Sequence, residues 1–162
     1  MTAVAVRSAL DMHEAVFARK DAVDVVVMTA AVADYRPKAM AADKIKKSGD
    51  VTLELVRNPD ILLELGASRT HNRPILVGFA LETTNVEAYG RDKLERKKAD
   101  LIVANEAKVG FGGDENEALL ISASGTEPTG RVSKHDLADR ILDRVRALIL
   151  SLIHISEPTR PY

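Results

Sequence analysis

The sequence predicts an α/β fold built on a Rossmann-like, doubly wound and mostly parallel sheet, and three observations lead there. Val25-Val26-Val27-Met28, Ile75-Leu76-Val77-Gly78-Phe79 and Leu101-Ile102-Val103-Ala104 are short, continuous apolar runs, as expected of parallel strands that helices cover on both faces. Each run ends in small or polar residues: Thr29-Ala30-Ala31-Val32-Ala33-Asp34, then Ala80-Leu81-Glu82-Thr83, then Asn105-Glu106. Segments with helical periodicity separate the runs, so three strand ends face one edge, where such a sheet assembles a site from distant parts of the chain.

The elements follow in order. Residues 3–6 read as a short strand and 9–19 as a helix with Leu10, His13, Val16 and Phe17 on one face; Arg19 and Lys20 in its last turn suit the negative end of the dipole. After the strand at 25–28, small side chains let a ligand approach the backbone before Asp34. The cationic segment that follows carries Lys38, Lys44, Lys46 and Lys47 and closes at Ser48-Gly49. Residues 51–56 alternate as VTLELV and read as a strand, half of a small hairpin projecting from the sheet. Asn58-Pro59-Asp60 reads as a helix start, with Asn58 the cap and Pro59 at the first helical position. A short helix is expected over 61–67 and a charge-rich one over 85–98. Residues 108–115 are a glycine-rich loop and 118–122 a further strand. Ser133-Lys134-His135-Asp136 opens a final amphipathic helix with Leu137, Ile141, Leu142, Val145 and Leu148 inward.

Both ends read as unnatural. Residues 150–160, LSLIHISEPTR, match the in-frame translation of a transposase adapter, so one domain is set at 1–149 and 150–162 are set aside as an adapter-derived tail. No glycine-rich strand-turn-helix opens the chain, which therefore reads as N-terminally truncated.

Composition narrows the function classes. At 162 residues, 46% hydrophobic and 29% charged, the chain suits one folded domain. A formal net charge of -1 offers no general attraction to nucleic acid or anionic lipid. No apolar run reaches the roughly 18 residues of a membrane span. The absence of cysteine excludes disulfide scaffolds and thiolate chemistry, and a cytoplasmic location is expected.

Lys93 and Lys97 stand four apart on the expected helix, so they share a face and are spaced to clasp two oxygens of a polyphosphate. The same spacing equally serves a solvated face whose cations complement a helix C-terminus. At that end the dipole repels anions, so the lysines would supply all the attraction. Lys44-Ile45-Lys46-Lys47 reads either as a charged flap or as cations that close over charge developing in phosphoryl or nucleotidyl transfer. Asp34 is placed to accept from a nucleobase amine or ribose hydroxyl, to help hold Mg²⁺, or simply to form a turn. Gly110-Phe111-Gly112-Gly113 lacks the full dinucleotide fingerprint, and no Walker motif is present. His13, His71, His135 and His154 lack metal-ligand spacing.

AAVADYRP followed by KIKK, then NPDIL, VGFALET, the lysine-bearing helix and LIVANE together resemble the phosphopantothenoylcysteine synthetase family, the ligase half of the bacterial bifunctional coenzyme A biosynthesis protein. The resemblance runs in order over residues 4–148. It implies a homodimeric ligase in coenzyme A biosynthesis that uses CTP and Mg²⁺ to join 4'-phosphopantothenate to cysteine through an acyl-cytidylate. Carried over by motif, it implies that Asp34, Pro59, Asp60, Ile61, Leu62 and Phe79 form the nucleotide pocket, that Lys93 and Lys97 are triphosphate ligands, and that Lys44 assists turnover of the activated intermediate. FMN would belong to a preceding decarboxylase domain, which is absent here. The family's Asn-Ser-Ser-Gly motif, which helps to hold phosphopantothenate, is also absent, so an incomplete acyl site is expected. Two further readings stay open: an inactive nucleotide-binding or dimerisation fragment, and a nicotinamide-dependent oxidoreductase, which the missing glycine fingerprint disfavours.

Overall fold

The computed structural model of the chain describes residues 1–39, 43, 50, 52–106 and 114–156. Helix α1 (Ala9–Phe17) and a 3-10 turn (Lys20–Ala22) lead into strand β1 (Val25–Met28). Strands β2 (Tyr35–Pro37) and β3 (Leu55–Arg57) precede helix α2 (Ile61–Ser68). Strand β4 (Ile75–Glu82), helix α3 (Val86–Lys97) and strand β5 (Leu101–Glu106) follow. Strands β6 (Glu115–Ser122) and β7 (Gly125–Ser133) and helix α4 (Lys134–Ser156) complete the order.

The main sheet runs β1-β4-β5-β6-β7. Strands β1, β4 and β5 are parallel, and β6 and β7 return antiparallel. Strand residues alternate between the two faces. Leu76, Ala80, Ile102, Ala104 and Ile121 meet Ile61, Leu62 and Leu65 of α2 and Leu94 of α3, with Met12, Val16 and Phe17 of α1 packed alongside. Ile75, Val77, Leu101, Val103 and Leu120 meet Leu137, Ile141 and Val145 of α4. Leu76, Leu101, Ile102 and Ile121 are fully buried, and each such side chain contributes about 1.5–3 kcal/mol. The doubly wound α/β arrangement is thus as expected, with helices on both faces.

Several local expectations are corrected. Residues 3–6 form no strand, because apolar character without a ladder neighbour does not make one. In β1, an edge strand of the sheet, Val27 is 42% exposed, so its apolar run is not buried on both faces. Leu10 is exposed, and Met12, two residues on and about 200° round the helix, packs against the core instead. Leu142 is likewise exposed, because the buried stripe of α4 runs through positions 137, 141, 145 and 148 and Leu142 lies about 100° off it. Residues 52–54 lie outside the ladder, although β3 does pair antiparallel with β2 as an arm separate from the main sheet. The expected loop at 108–115 falls on 108–113, outside the described residues, and on Asp114 and Glu115, where β6 begins.

Strand β7 was not anticipated. At its bulge opposite Glu117 and Leu119, the buried Thr129 hydroxyl stands in for the ladder: it accepts from Ala118 N–H at 3.0 Å and lies 3.0 Å from the Ala118 carbonyl oxygen. The opening of α4 agrees with the sequence, since Ser133 Oγ accepts from Asp136 N–H at 3.0 Å. Among the described residues no helix is long and apolar enough to cross a membrane.

Candidate functional site

A pocket opens at the carboxyl ends of β1 and β4, beneath the first turn of α2 and the last turns of α3. Its lining includes Met28, Ala30, Ala33, Asp34, Asn58, Pro59, Asp60, Ile61, Leu62, Phe79, Lys93 and Lys97. The enclosed space is about 180 Å³, below the roughly 300–1,000 Å³ of sites that engulf a small molecule. A pocket of this size could enclose only part of a nucleotide-sized ligand. Every residue to which the resemblance gave a role lies on this lining except Lys44, which is outside the described residues together with Lys46 and Lys47; Lys38 is described and is not part of the lining.

Helix α3 delivers both lysines because it lies close on the sheet. A Cβ at Gly90 would stand 2.3 Å from Ile121 Cδ1 and 3.3 Å from Ala104 Cβ, so any larger residue there would make the Ile121 side chain shift. Lys93 and Lys97 continue the same stripe, one and two turns on. Helix α2 crosses the end of α3 at Gly66, where a Cβ would meet the Lys97 carbonyl oxygen at 2.0 Å. The end of α3 is held by Arg69, which donates to the Lys98 carbonyl oxygen at 2.5 Å and is ion-paired with Asp100.

Lys93 Nζ donates to the Phe79 carbonyl oxygen at 2.8 Å. Burial pushes its ammonium below the usual lysine range, and the carboxylates of Glu82 and Asp34 pull it back in part. Lys97 is 6% exposed and ion-paired with Asp60. Burial lowers its pKa as well, against the pull of Asp34. Two desolvated ammonium groups beside an exposed Asp34 suit a polyanion accompanied by a hard cation.

The first turn of α2 differs from the sequence expectation. Asp60, not Asn58, is the N-cap, with Oδ1 accepting from Leu63 N–H at 3.1 Å. The Asn58 amide is used elsewhere: Nδ2 donates to the Ala33 carbonyl oxygen at 2.8 Å, and Oδ1 accepts from Arg36 at 3.2 Å. Arg36 also donates to the Arg57 carbonyl oxygen at 2.6 Å, and Asn58 N–H donates to the Asp34 carbonyl oxygen at 2.8 Å. Asn58 thus clasps the β2–β3 arm to the wall of the pocket, a role its place before Pro59 disguised as capping. Because the N-terminal turn of α2 shares the pocket, the lysines are joined there by the positive end of a helix dipole. Among the described residues no cluster of three or more His, Cys, Asp or Glu is arranged to hold a metal by itself.

The chain is similar to known proteins. The family described as DNA/pantothenate metabolism flavoprotein C-terminal domain matches residues 1–149. The coenzyme A biosynthesis bifunctional protein CoaBC of Vibrio vulnificus is 42% identical over 150 residues, covering 89% of this chain and 37% of that protein. The CoaBC of Bacillus subtilis is 46% identical over 150 residues, covering 90% and 36%. The chain thus spans a little over a third of the length of these relatives. A crystal structure of the C-terminal domain of CoaBC superposes with a TM-score of 0.76 at 38% identity, covering 93% of this chain and 67% of that one. With a family match over nearly the whole chain, relatives above 40% identity and a shared fold, the chain belongs to the DNA/pantothenate metabolism flavoprotein C-terminal domain family.

Proposed function

We propose that the chain acts in coenzyme A biosynthesis as the nucleotide-handling part of a phosphopantothenate-cysteine ligase that uses CTP. One observation carries the reading: Asp34, the turn of Pro59, Asp60, Ile61 and Leu62, Phe79 and the two lysines line a single pocket at the carboxyl ends of parallel strands. The names and identities of the relatives support the same pathway.

In the proposed reaction the carboxylate of 4'-phosphopantothenate attacks the α-phosphorus of CTP. The bond to the β-phosphate oxygen breaks, pyrophosphate leaves and an acyl-cytidylate forms. The amine of cysteine then attacks the acyl carbon, CMP departs with the bonding electrons, and the amine gives up a proton as the amide forms. Lys93 and Lys97 hold the phosphate chain and compensate its charge, in a setting where desolvation strengthens each contact. The apolar walls from Met28, Ile61, Leu62 and Phe79 bound the space beside it. Asp34, exposed and within the field of both lysines, fits a single oxygen ligand to Mg²⁺ arriving on the phosphates, the usual way a protein holds this ion. Bound there, Mg²⁺ would neutralise phosphate charge.

The same proposal takes Lys44 as the cation that assists turnover of the intermediate. It takes the full-length protein as a cytoplasmic homodimer joined to an FMN-binding decarboxylase, in line with the bifunctional names and greater length of the relatives. Calorimetric titration with CTP and with ATP, each with Mg²⁺, tests the central claim. CTP binding stronger than ATP binding, and lost in Lys93→Ala and Lys97→Ala, is expected. A folded sample that binds neither nucleotide, or whose binding ignores both substitutions, would falsify it.

A further inference from the structure

The two cations of the pocket have unlike partners. Lys93 Nζ donates to the Phe79 carbonyl oxygen, a neutral acceptor. Lys97, one turn on, is paired with the Asp60 carboxylate. That pair is lopsided, because the lysine side chain is 7% exposed and the aspartate 42%. The ammonium is largely shielded from water, whereas the carboxylate keeps much of its contact with solvent. Asp60 stays tethered meanwhile through Oδ1, which caps α2.

Resting on the reading of this pocket as a triphosphate site, we propose that Asp60 is an internal competitor that determines which phosphates bind. It occupies Lys97 whenever no phosphate does, so a ligand gains Lys97 only by exchange. Replacing one anion by another on a buried cation returns little net free energy, since the charge is paired before and after. Free pyrophosphate, held by few other contacts, therefore binds weakly. A phosphate chain attached to a nucleoside draws on the remaining lining and wins the exchange. Once pyrophosphate is cut from its nucleoside, Asp60 recaptures Lys97 and speeds its departure.

Asn and Ser cap helices about as well as Asp, so Asp60→Asn and Asp60→Ser remove the charge and keep the start of α2. Each substitution backs up the other should one sample fail to fold. Magnesium pyrophosphate is titrated calorimetrically at low salt into the 162-residue chain, into both variants and into each variant combined with Lys97→Ala. Pyrophosphate affinity is expected to rise about tenfold in both single variants, the scale of one charge-assisted hydrogen bond. The gain vanishes without Lys97. Pyrophosphate affinity that is unchanged or weakened, or a gain that survives Lys97→Ala, overturns the proposal. These arms use no nucleoside triphosphate, so the proposal fails separately from the nucleotide reading, which the comparison of CTP with ATP decides.

Discussion

Gly66→Ala tests how tightly the site depends on the crossing of α2 and α3. The added Cβ would stand 2.0 Å from the Lys97 carbonyl oxygen, and real Cβ contacts do not fall below 3.0 Å. The two helices therefore separate by about 1 Å or one of them bends. The obstacle is backbone, so no side-chain rotation relieves it, and the cost falls near the top of the roughly 1–3 kcal/mol of overpacking. Alanine's better helix propensity returns about 1 kcal/mol. A net loss of about 2 kcal/mol results, or roughly 4–8 °C in Tm for a domain of this size. Urea unfolding followed by circular dichroism measures it as a lower midpoint at unchanged m value. The same displacement moves Lys97 away from Asp60, so CTP affinity changes as well. A variant as stable as its parent would refute the close crossing and, with it, the account of how Lys97 is placed.

Arg69→Ala removes the partner of Asp100, whose side chain is only 18% exposed, and leaves the Lys98 and Pro74 carbonyl oxygens without this donor. A loss of about 3 kcal/mol by equilibrium unfolding is expected, and a loss below about 1 kcal/mol would contradict the assigned role. Burial holds Lys93 and Lys97 below the 10.5 of free lysine, so in the window just under that pH the unfolded chain binds more protons than the folded one. The two lysines therefore make unfolding free energy rise with pH there while pyrophosphate affinity falls; unfolding and calorimetric series, compared with a Lys93→Ala, Lys97→Ala variant, show opposite slopes or disprove the assignment. Thr129→Val strips the Ala118 backbone groups of their partner at the bulge and should cost about 1–3 kcal/mol, with faster amide exchange at Ala118; unaltered exchange there would count against it.

The parallel strands were legible because a strand buried on both faces writes itself as an unbroken apolar run, and Ile75-Leu76-Val77 and Leu101-Ile102-Val103 do so plainly. Strand β7 was not, because Pro128, Gly130 and three charged or capping residues break every apolar pattern, and it is the pairing with β6 that makes it a strand. The turn at Ser124-Gly125 was the available signal, since Gly125 has φ of 141°. At the site, the shared face of Lys93 and Lys97 followed from helical spacing alone. Their partners did not, because Lys97 meets Asp60 and Lys93 meets Phe79 across 37 and 14 residues of chain. Asn58 shows the same limit in reverse. Its capping preference is a local property, and a nonlocal hydrogen bond to Ala33 outweighed it.

The clasp at Asn58 has a thermodynamic consequence. A two-stranded antiparallel ribbon is marginal in water by itself, and Tyr35 and Leu55 on its outer face are about half exposed. The arm therefore draws order from the Asn58 contacts to Arg36 and Ala33, and Ala33 and Asn58 both belong to the pocket. Linkage between two such sites is reciprocal. A ligand that steadies Ala33 must shift the ribbon's fraying equilibrium toward the paired state, and anything that favours the paired ribbon from outside must raise the pocket's affinity for that ligand by the same factor.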